Sequence, residues 1–252
     1  MKTTTRNLRL FLIGNSFSQN VTRYLPHLAE EAGHPIHIGR AETGGCSLQR
    51  HWEGVEAWQR NEGGRIYDGG QSLCELLGDG DWDVVALQQA SMHSADVSSY
   101  RPYARLLHDY VRGICPDARL LLHQTWAYRC DALQYSEIGN GRRAQSRHEM
   151  WEKSRASYRE IAAELELSIV PSGDAFNRVD MDAQWRYVPD TDFDYEQPNF
   201  PVLPVQAHSL HAGYYWNEEG VFALDANHAS EAGCYLGSLV WFGFLFDESP
   251  EE

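Results

Sequence analysis

The sequence predicts a three-layer α/β/α sandwich built on a mainly parallel, five-stranded sheet. Short apolar runs alternate with longer amphipathic stretches along most of the chain, the signature of parallel strands joined by crossover helices. Polar residues (Asn15-Ser16, Gly44-Gly45, Gln88-Gln89) fall where the runs end, and ligands of open parallel sheets bind beyond the carboxyl ends of the strands. The length of 252 residues suits one α/β domain spanning the chain, since such domains commonly reach about 250 residues.

The elements follow in order. Leu8–Ile13 is a strand that ends in Gly14-Asn15-Ser16. Val21–Ala32 is a helix, with Val21, Leu25, Leu28 and Ala29 on one face. Ile36–Ile38 is a short second strand, followed by a turn at Glu42-Thr43-Gly44-Gly45. Trp82–Leu87 is the third strand, and Tyr103–Ile114 a helix that ends at Cys115-Pro116, because proline cannot continue it. Arg119–Leu122 is the fourth strand, Arg142–Leu165 a long helix, Ser168–Pro171 the fifth strand and Ser230–Phe246 a final apolar helix. Residues 176–224 have no clean period but hold five aspartates and many aromatic residues. A loop of that length in a compact domain is often functional, so it is expected to run over the active-site face.

Composition excludes several classes of function. A formal charge of −15 with no basic stripe argues against nucleic acid and anionic membrane surfaces as partners. Leu8–Ile13 is too short for a signal-peptide core, and no small-residue cleavage site follows it. No stretch reaches the roughly 18 apolar residues of a membrane span. The five cysteines, Cys46, Cys74, Cys115, Cys130 and Cys234, are odd in number and scattered, which suits reduced thiols and a cytoplasmic location. His208 and His211 have zinc-compatible spacing but lack a third ligand. No metal or other cofactor is expected.

Two short strings carry chemistry. Ser16 follows a buried strand at a strand-to-helix turn, where its hydroxyl projects from the sheet edge and its own N–H can stabilise an oxyanion. An ordinary helix-capping serine is the alternative. Asp225 and His228 precede the last helix. A serine hydroxyl needs a base to take its proton, and histidine has the right pKa. A carboxylate three residues earlier can reach back to orient the imidazole. Loop polar groups are the alternative there.

Together, Gly14-Asn15-Ser16-Phe17 near one end and Asp225-x-x-His228 near the other resemble the first and last blocks of the SGNH (GDSL-like) hydrolases. Gly44-Gly45-Cys46-Ser47-Leu48 resembles the second block. The third departs, because Leu87-Gln88-Gln89-Ala90-Ser91 replaces the usual Gly-x-Asn-Asp. A divergent subgroup is similar in its Gly-Asn-Ser-Phe, Leu-Gln-x-x-Ser and Asp-x-x-His pieces. The resemblance implies a flavodoxin-like fold and a metal-free esterase with a Ser16–His228–Asp225 triad. It also implies an oxyanion hole formed by Ser16, Gly45 (or Gly44) and the amide of Gln88, with Gln89 as the alternative. The expected substrate is a small-molecule or carbohydrate ester, most simply a short acyl (acetyl) ester. Longer acyl chains, as for a lipase or thioesterase, and an inert carbohydrate-binding scaffold are the rivals. Asn15 is a further candidate at the site. Tyr214-Tyr215-Trp216 could stack on a sugar ring or pack inside the long loop, and Trp126 could wall the pocket or belong to the core.

Overall fold

A computed structural model describes residues 7–249. Five strands form one parallel sheet: β1 (Leu8–Gly14), β2 (Ile36–Glu42), β3 (Val84–Leu87), β4 (Arg119–His123) and β5 (Ser168–Val170). Their order is β2-β1-β3-β4-β5, the flavodoxin-like arrangement, whose strand order reverses between β1 and β3 and leaves a crevice at their carboxyl ends. The sheet is parallel throughout.

Side chains alternate across a strand, and β1 divides accordingly. Phe11 and Ile13 join one core with Leu48, Leu77, Leu107, Tyr158 and Ile161. Leu10 and Leu12 join the other with Phe17, Val21, Leu25, Trp241 and Phe242. The first face is covered by α3 (Leu48–Gln59), α4 (Leu73–Gly78), α5 (Tyr103–Ile114) and α6 (Arg147–Leu165). The second is covered by α1 (Ser16–Val21), α2 (Leu25–Glu31), α7 (Ser172–Met181) and α8 (Glu231–Phe246). This is the predicted three-layer sandwich. No helix among the described residues is long and apolar enough to cross a membrane.

Several boundaries differ from the sequence reading. The stretch 21–32 is broken by Thr22–Tyr24: Pro26 sits in the first turn of α2, where proline is tolerated because that N–H has no helical partner. β2 continues to Glu42, since all seven of its residues pair with β1. α6 begins only after Ser146, whose hydroxyl accepts from Glu149 N–H and caps it.

The 176–224 segment is partly regular. α7 reaches into it, and β6 (His211–Trp216) pairs antiparallel with β7 (Phe222–Ala229) in a separate two-stranded sheet. Its aromatic residues pack on one another: Tyr214 stacks on Phe222 with ring centroids 5.0 Å apart, and Trp216 lies against both Phe222 and Phe200.

α1 and α8 approach closely because Gly237 faces Val21, where a Cβ would come within 2.6 Å of a valine methyl. Ser238 Oγ donates to the Val21 carbonyl at 2.9 Å and accepts from Tyr24 N–H at 3.1 Å. α1 and α8 are thus held side by side.

Three histidines are fully buried, and burial lowers the pKa of each: His51 to about 4, His123 to about 3 and His211 to about 4. The unfolded chain binds protons at these positions below about 6.5, whereas the native state resists. The stability that the neutral rings supply is present in full above that pH and lost as pH falls towards 4. The melting temperature is therefore expected to fall across that window, and a His123→Leu variant to flatten part of the slope; calorimetry at several pH values checks both.

Candidate active site

β1 delivers Ser16 to the crevice. Gly14 ends the strand where a Cβ would lie 2.3 Å from Ser18 Oγ and 2.8 Å from Gln88 Oε1, so only glycine permits the approach. Asn15 then caps α1, its Oδ1 accepting from Phe17 N–H at 3.0 Å. Ser16 becomes the first helical residue, and its N–H has no intrahelical acceptor. Behind the turn, His51 Nε2–H donates to the Gly14 carbonyl at 3.2 Å while its Nδ1 accepts from Tyr67 O–H at 2.8 Å. That tautomer follows from the bonding network and agrees with a ring held neutral by burial.

β7 delivers Asp225 and His228. In a regular strand, residues three apart point to opposite faces, and their Cα atoms are roughly 10 Å apart. Here the register shifts: Gly213 pairs with Asp225, yet His211 pairs with Ala229. The surplus residues of β7 bulge outward, and the carboxylate and imidazole meet. The bulge is fixed by its neighbours. Arg129 N–H donates to the Ala226 carbonyl at 2.8 Å, Trp126 Nε1–H to the Asn227 carbonyl at 2.9 Å, and Ala229 N–H to Asn20 Oδ1 at 3.0 Å.

The result is a continuous chain of hydrogen bonds. Ser16 Oγ lies 2.8 Å from His228 Nε2, and His228 Nδ1 lies 2.8 Å from Asp225 Oδ2. Asp225 Oδ1 also accepts from the backbone N–H of His228 and of Asn227. Burial opposes ionisation of Asp225, but the bonds from the His228 ring and from the two N–H groups, with the attraction of the imidazolium, outweigh it and bring the pKa to about 2. Chiefly through its bond to Asp225, the His228 pKa is raised, against the opposing effect of burial. This geometry lets an imidazole take the Ser16 proton while a fixed carboxylate stabilises the charge it acquires.

These groups open into a cleft of about 120 Å³ lined by Asn15, Ser16, Phe17, Gly45, Ala90, Ser91, Met92, Tyr128, Asn227 and His228. Gly45 holds a positive φ of 62° in the turn after β2, a conformation that glycine adopts freely. The adjacent Cys46 is buried, and burial pushes its pKa up to about 12, Arg50 opposing, so it remains a thiol. Among the described residues no group of three or more His, Cys, Asp or Glu could hold a metal ion; His211 is buried with Nε2–H donating to the Ala127 carbonyl.

The structure brings Ser16, Asp225, His228, Asn15 and Gly45 together, but not the remaining candidates. Gln88, 1% exposed, donates its amide to Asn15 Oδ1 at 2.8 Å and to the Gln89 carbonyl at 3.2 Å, and its Oε1 accepts from Ser18 Oγ. The expectation of a Gln88 oxyanion donor gives way, because the longer side chain folds back into the core. Gln89 likewise binds Ser99 and accepts from Leu48 N–H and Ala90 N–H. Trp126 is wholly buried, stacked between Phe17 and Phe176. Tyr214 and Trp216 pack within the hairpin and its covering loop, and Tyr215, although 45% exposed, does not line the cleft. None of the lining residues comes from 176–224, so the expectation that this segment covers the site is also corrected. Its anchor is Arg129, which pairs with Asp131, donates to Gln206 and packs against the rings of Tyr187 and Tyr214. Sequence reasoning missed Tyr128 and Asn227 and gave Ser91 no role. Only Ser91 carried a signal, as the end of the Leu-Gln-x-x-Ser string.

Comparison with known proteins agrees with this architecture. A family model described as a domain of unknown function (DUF4886) matches residues 9–183. The chain belongs to the DUF4886 family. A crystal structure of another DUF4886 protein, from Bacteroides uniformis, is 25% identical, with a TM-score of 0.72 over 98% of this chain and 85% of that one. A candidate SGNH hydrolase from Slackia heliotrinireducens is 17% identical, with a TM-score of 0.56 over 94% of this chain and 98% of its own. A candidate GDSL-like lipase from Parabacteroides merdae is 14% identical, with a TM-score of 0.53 and 94% of each chain covered. This DUF4886 protein therefore has the SGNH hydrolase fold. No curated protein matched the chain.

The raised pKa of His228 has a measurable consequence. If the neutral ring acts as base, kcat/KM should fall as pH drops through a value above 6.5. Asp225→Asn should move that limb to lower pH and reduce kcat by about 10⁴-fold; pH–rate profiles of both proteins test this.

Proposed function

We propose that this protein is a serine ester hydrolase acting on short acyl esters. The observation that carries the reading is the unbroken Ser16–His228–Asp225 chain, with both links at 2.8 Å, opening into a cleft. His228 Nε2 takes the Ser16 proton as Oγ attacks the carbonyl carbon. The carbonyl electrons move to oxygen, and the N–H groups of Ser16 and Gly45 stabilise that charge. Collapse expels the alcohol, which leaves with the proton from His228. A water molecule, deprotonated by the same ring, then attacks the acyl-enzyme, freeing the acid and restoring Ser16. Asp225 stays ionised throughout, because its pKa lies near 2.

Two observations support a short acyl group. The cleft volume of about 120 Å³ is well below the roughly 300–1,000 Å³ of sites for drug-sized ligands. Phe17, which lines the cleft beside Ser16, is stacked on the buried Trp126 and so backed by packed core. Tyr214 and Trp216 are packed away from the cleft and offer no stacking platform for a sugar there.

Ser16→Ala should abolish hydrolysis of p-nitrophenyl acetate and labelling by a fluorophosphonate, while leaving the melting temperature nearly unchanged. Across a series of nitrophenyl esters, kcat/KM should be highest at acetate and fall with chain length. Retained turnover in Ser16→Ala would remove the nucleophile from the scheme, and a maximum at long chains would overturn the short-acyl reading.

A further inference from the structure

With the Gln88 amide committed to Asn15, the oxyanion has backbone donors from Ser16 and from the β2 side, at Gly45, but no side-chain donor from the β3 side. Ser91 and Tyr128 line the cleft on that side. Ser91 opens a short 3₁₀ turn, Ser91–His93, after β3, and its carbonyl accepts from Ser94 N–H and Oγ. The backbone that carries its hydroxyl is therefore fixed. Ser91 Oγ and Tyr128 Oη are 2.9 Å apart, and neither hydroxyl has another hydrogen-bond partner among the described residues.

One hydrogen bond between two hydroxyls uses one proton and leaves the other free. A phenol shares its oxygen lone pair with the ring, so it is the stronger donor and the poorer acceptor of the two. A Tyr128 O–H that donates to Ser91 Oγ across this 2.9 Å contact leaves the spare proton on Ser91. Burial raises the pKa of the phenol, outweighing the opposing effects of its bond to Ser91 and of Arg143, so it remains protonated at neutral pH.

We propose that Ser91 Oγ–H supplies the third hydrogen bond to the oxyanion formed when Ser16 attacks, and that Tyr128 is the positioning residue that turns this proton into the cleft. The proposal rests on the ester-hydrolase reading above. β1 lies between β2 and β3 in the sheet, so Gly45 and Ser91 approach the carbonyl from opposite sides of Ser16. A hydroxyl on a short side chain four residues beyond Leu87 takes the place of the longer amide that folds inward.

The experiment is steady-state kinetics on p-nitrophenyl acetate with Ser91→Ala, Ser91→Thr, Tyr128→Phe and the double variant Ser91→Ala/Tyr128→Phe. Ser91→Ala should lower kcat by about 10²–10³-fold with little change in KM, as loss of one oxyanion donor does. A boronic acid that adds to Ser16 as a tetrahedral adduct should lose affinity in parallel. Ser91→Thr, which keeps the hydroxyl, should recover most of kcat. Tyr128→Phe should lose about 10-fold through disorder of the Ser91 proton, within the usual range for a positioning contact. The double variant should be no slower than Ser91→Ala, because Tyr128 acts through Ser91.

Unchanged kcat in Ser91→Ala, or a raised KM with kcat intact, overturns the proposal while leaving the nucleophile in place. Should Ser91→Ala not fold, unchanged kcat in Tyr128→Phe overturns it instead. A wild-type protein that neither turns over the ester nor reacts with a fluorophosphonate sinks the ester-hydrolase reading itself, a result separable from failure of Ser91 alone.

Discussion

The side chain of Asn15 ties the site together. Its Oδ1 accepts from Phe17 N–H, which starts the helix behind Ser16, and from the Gln88 amide after β3; its Nδ2 donates to the Cys46 carbonyl after β2. Three loops that leave three adjacent strands are thereby fixed to one amide, itself 2% exposed. A buried polar group of this kind is costly unless its bonds are made, so the three loops have one low-energy arrangement. The backbone of Ser16 and the turn of Gly45 inherit their positions from it, and Gln88 contributes by holding that amide.

The opposite wall of the cleft depends on a different kind of order. β7 is not part of the main sheet, and its bulge owes its shape to bonds from Arg129 N–H, the Trp126 ring and Asn20. Arg129 also secures the segment before the hairpin, since Gln206 Oε1 accepts from its guanidinium and from Tyr214 N–H. Tyr187 and Tyr214, whose rings pack on Arg129, belong to this support, and no residue of 176–224 lines the cleft.

Much of the fold was legible because β1, β3 and β4 are buried on both faces and read as continuous apolar runs. α3 escaped because its inner face includes His51 and Gly54, which erase the apolar period. α7 did so because Ser172, Gly173 and Asp180 are among its buried residues. β7 showed no alternation because every residue in it is half-buried and a bulge interrupts it. Ser16, Asp225, His228, Asn15 and Gly45 could be read from local strings, since strand ends and a glycine turn position them. The position of Gln88 could not, because whether an amide faces a cleft or a core depends on contacts with Ser18 and Asn15 that the sequence does not order. Tyr128 lies in irregular chain beyond β4, with no string to mark it.

Ser16 opens the helix that follows β1 of the five-stranded sheet, His228 lies in a two-stranded ribbon, and the two meet through a handful of polar contacts and the packing of α1 on α8. Such a joint can open locally at a free-energy cost below that of global unfolding. A molecule in which the ribbon has swung away would keep its sheet and an intact Ser16, yet lose the contact between Ser16 and His228. Loss of the Ser16–His228 contact and loss of fold are thus separable events in this architecture, and the ribbon is where they part.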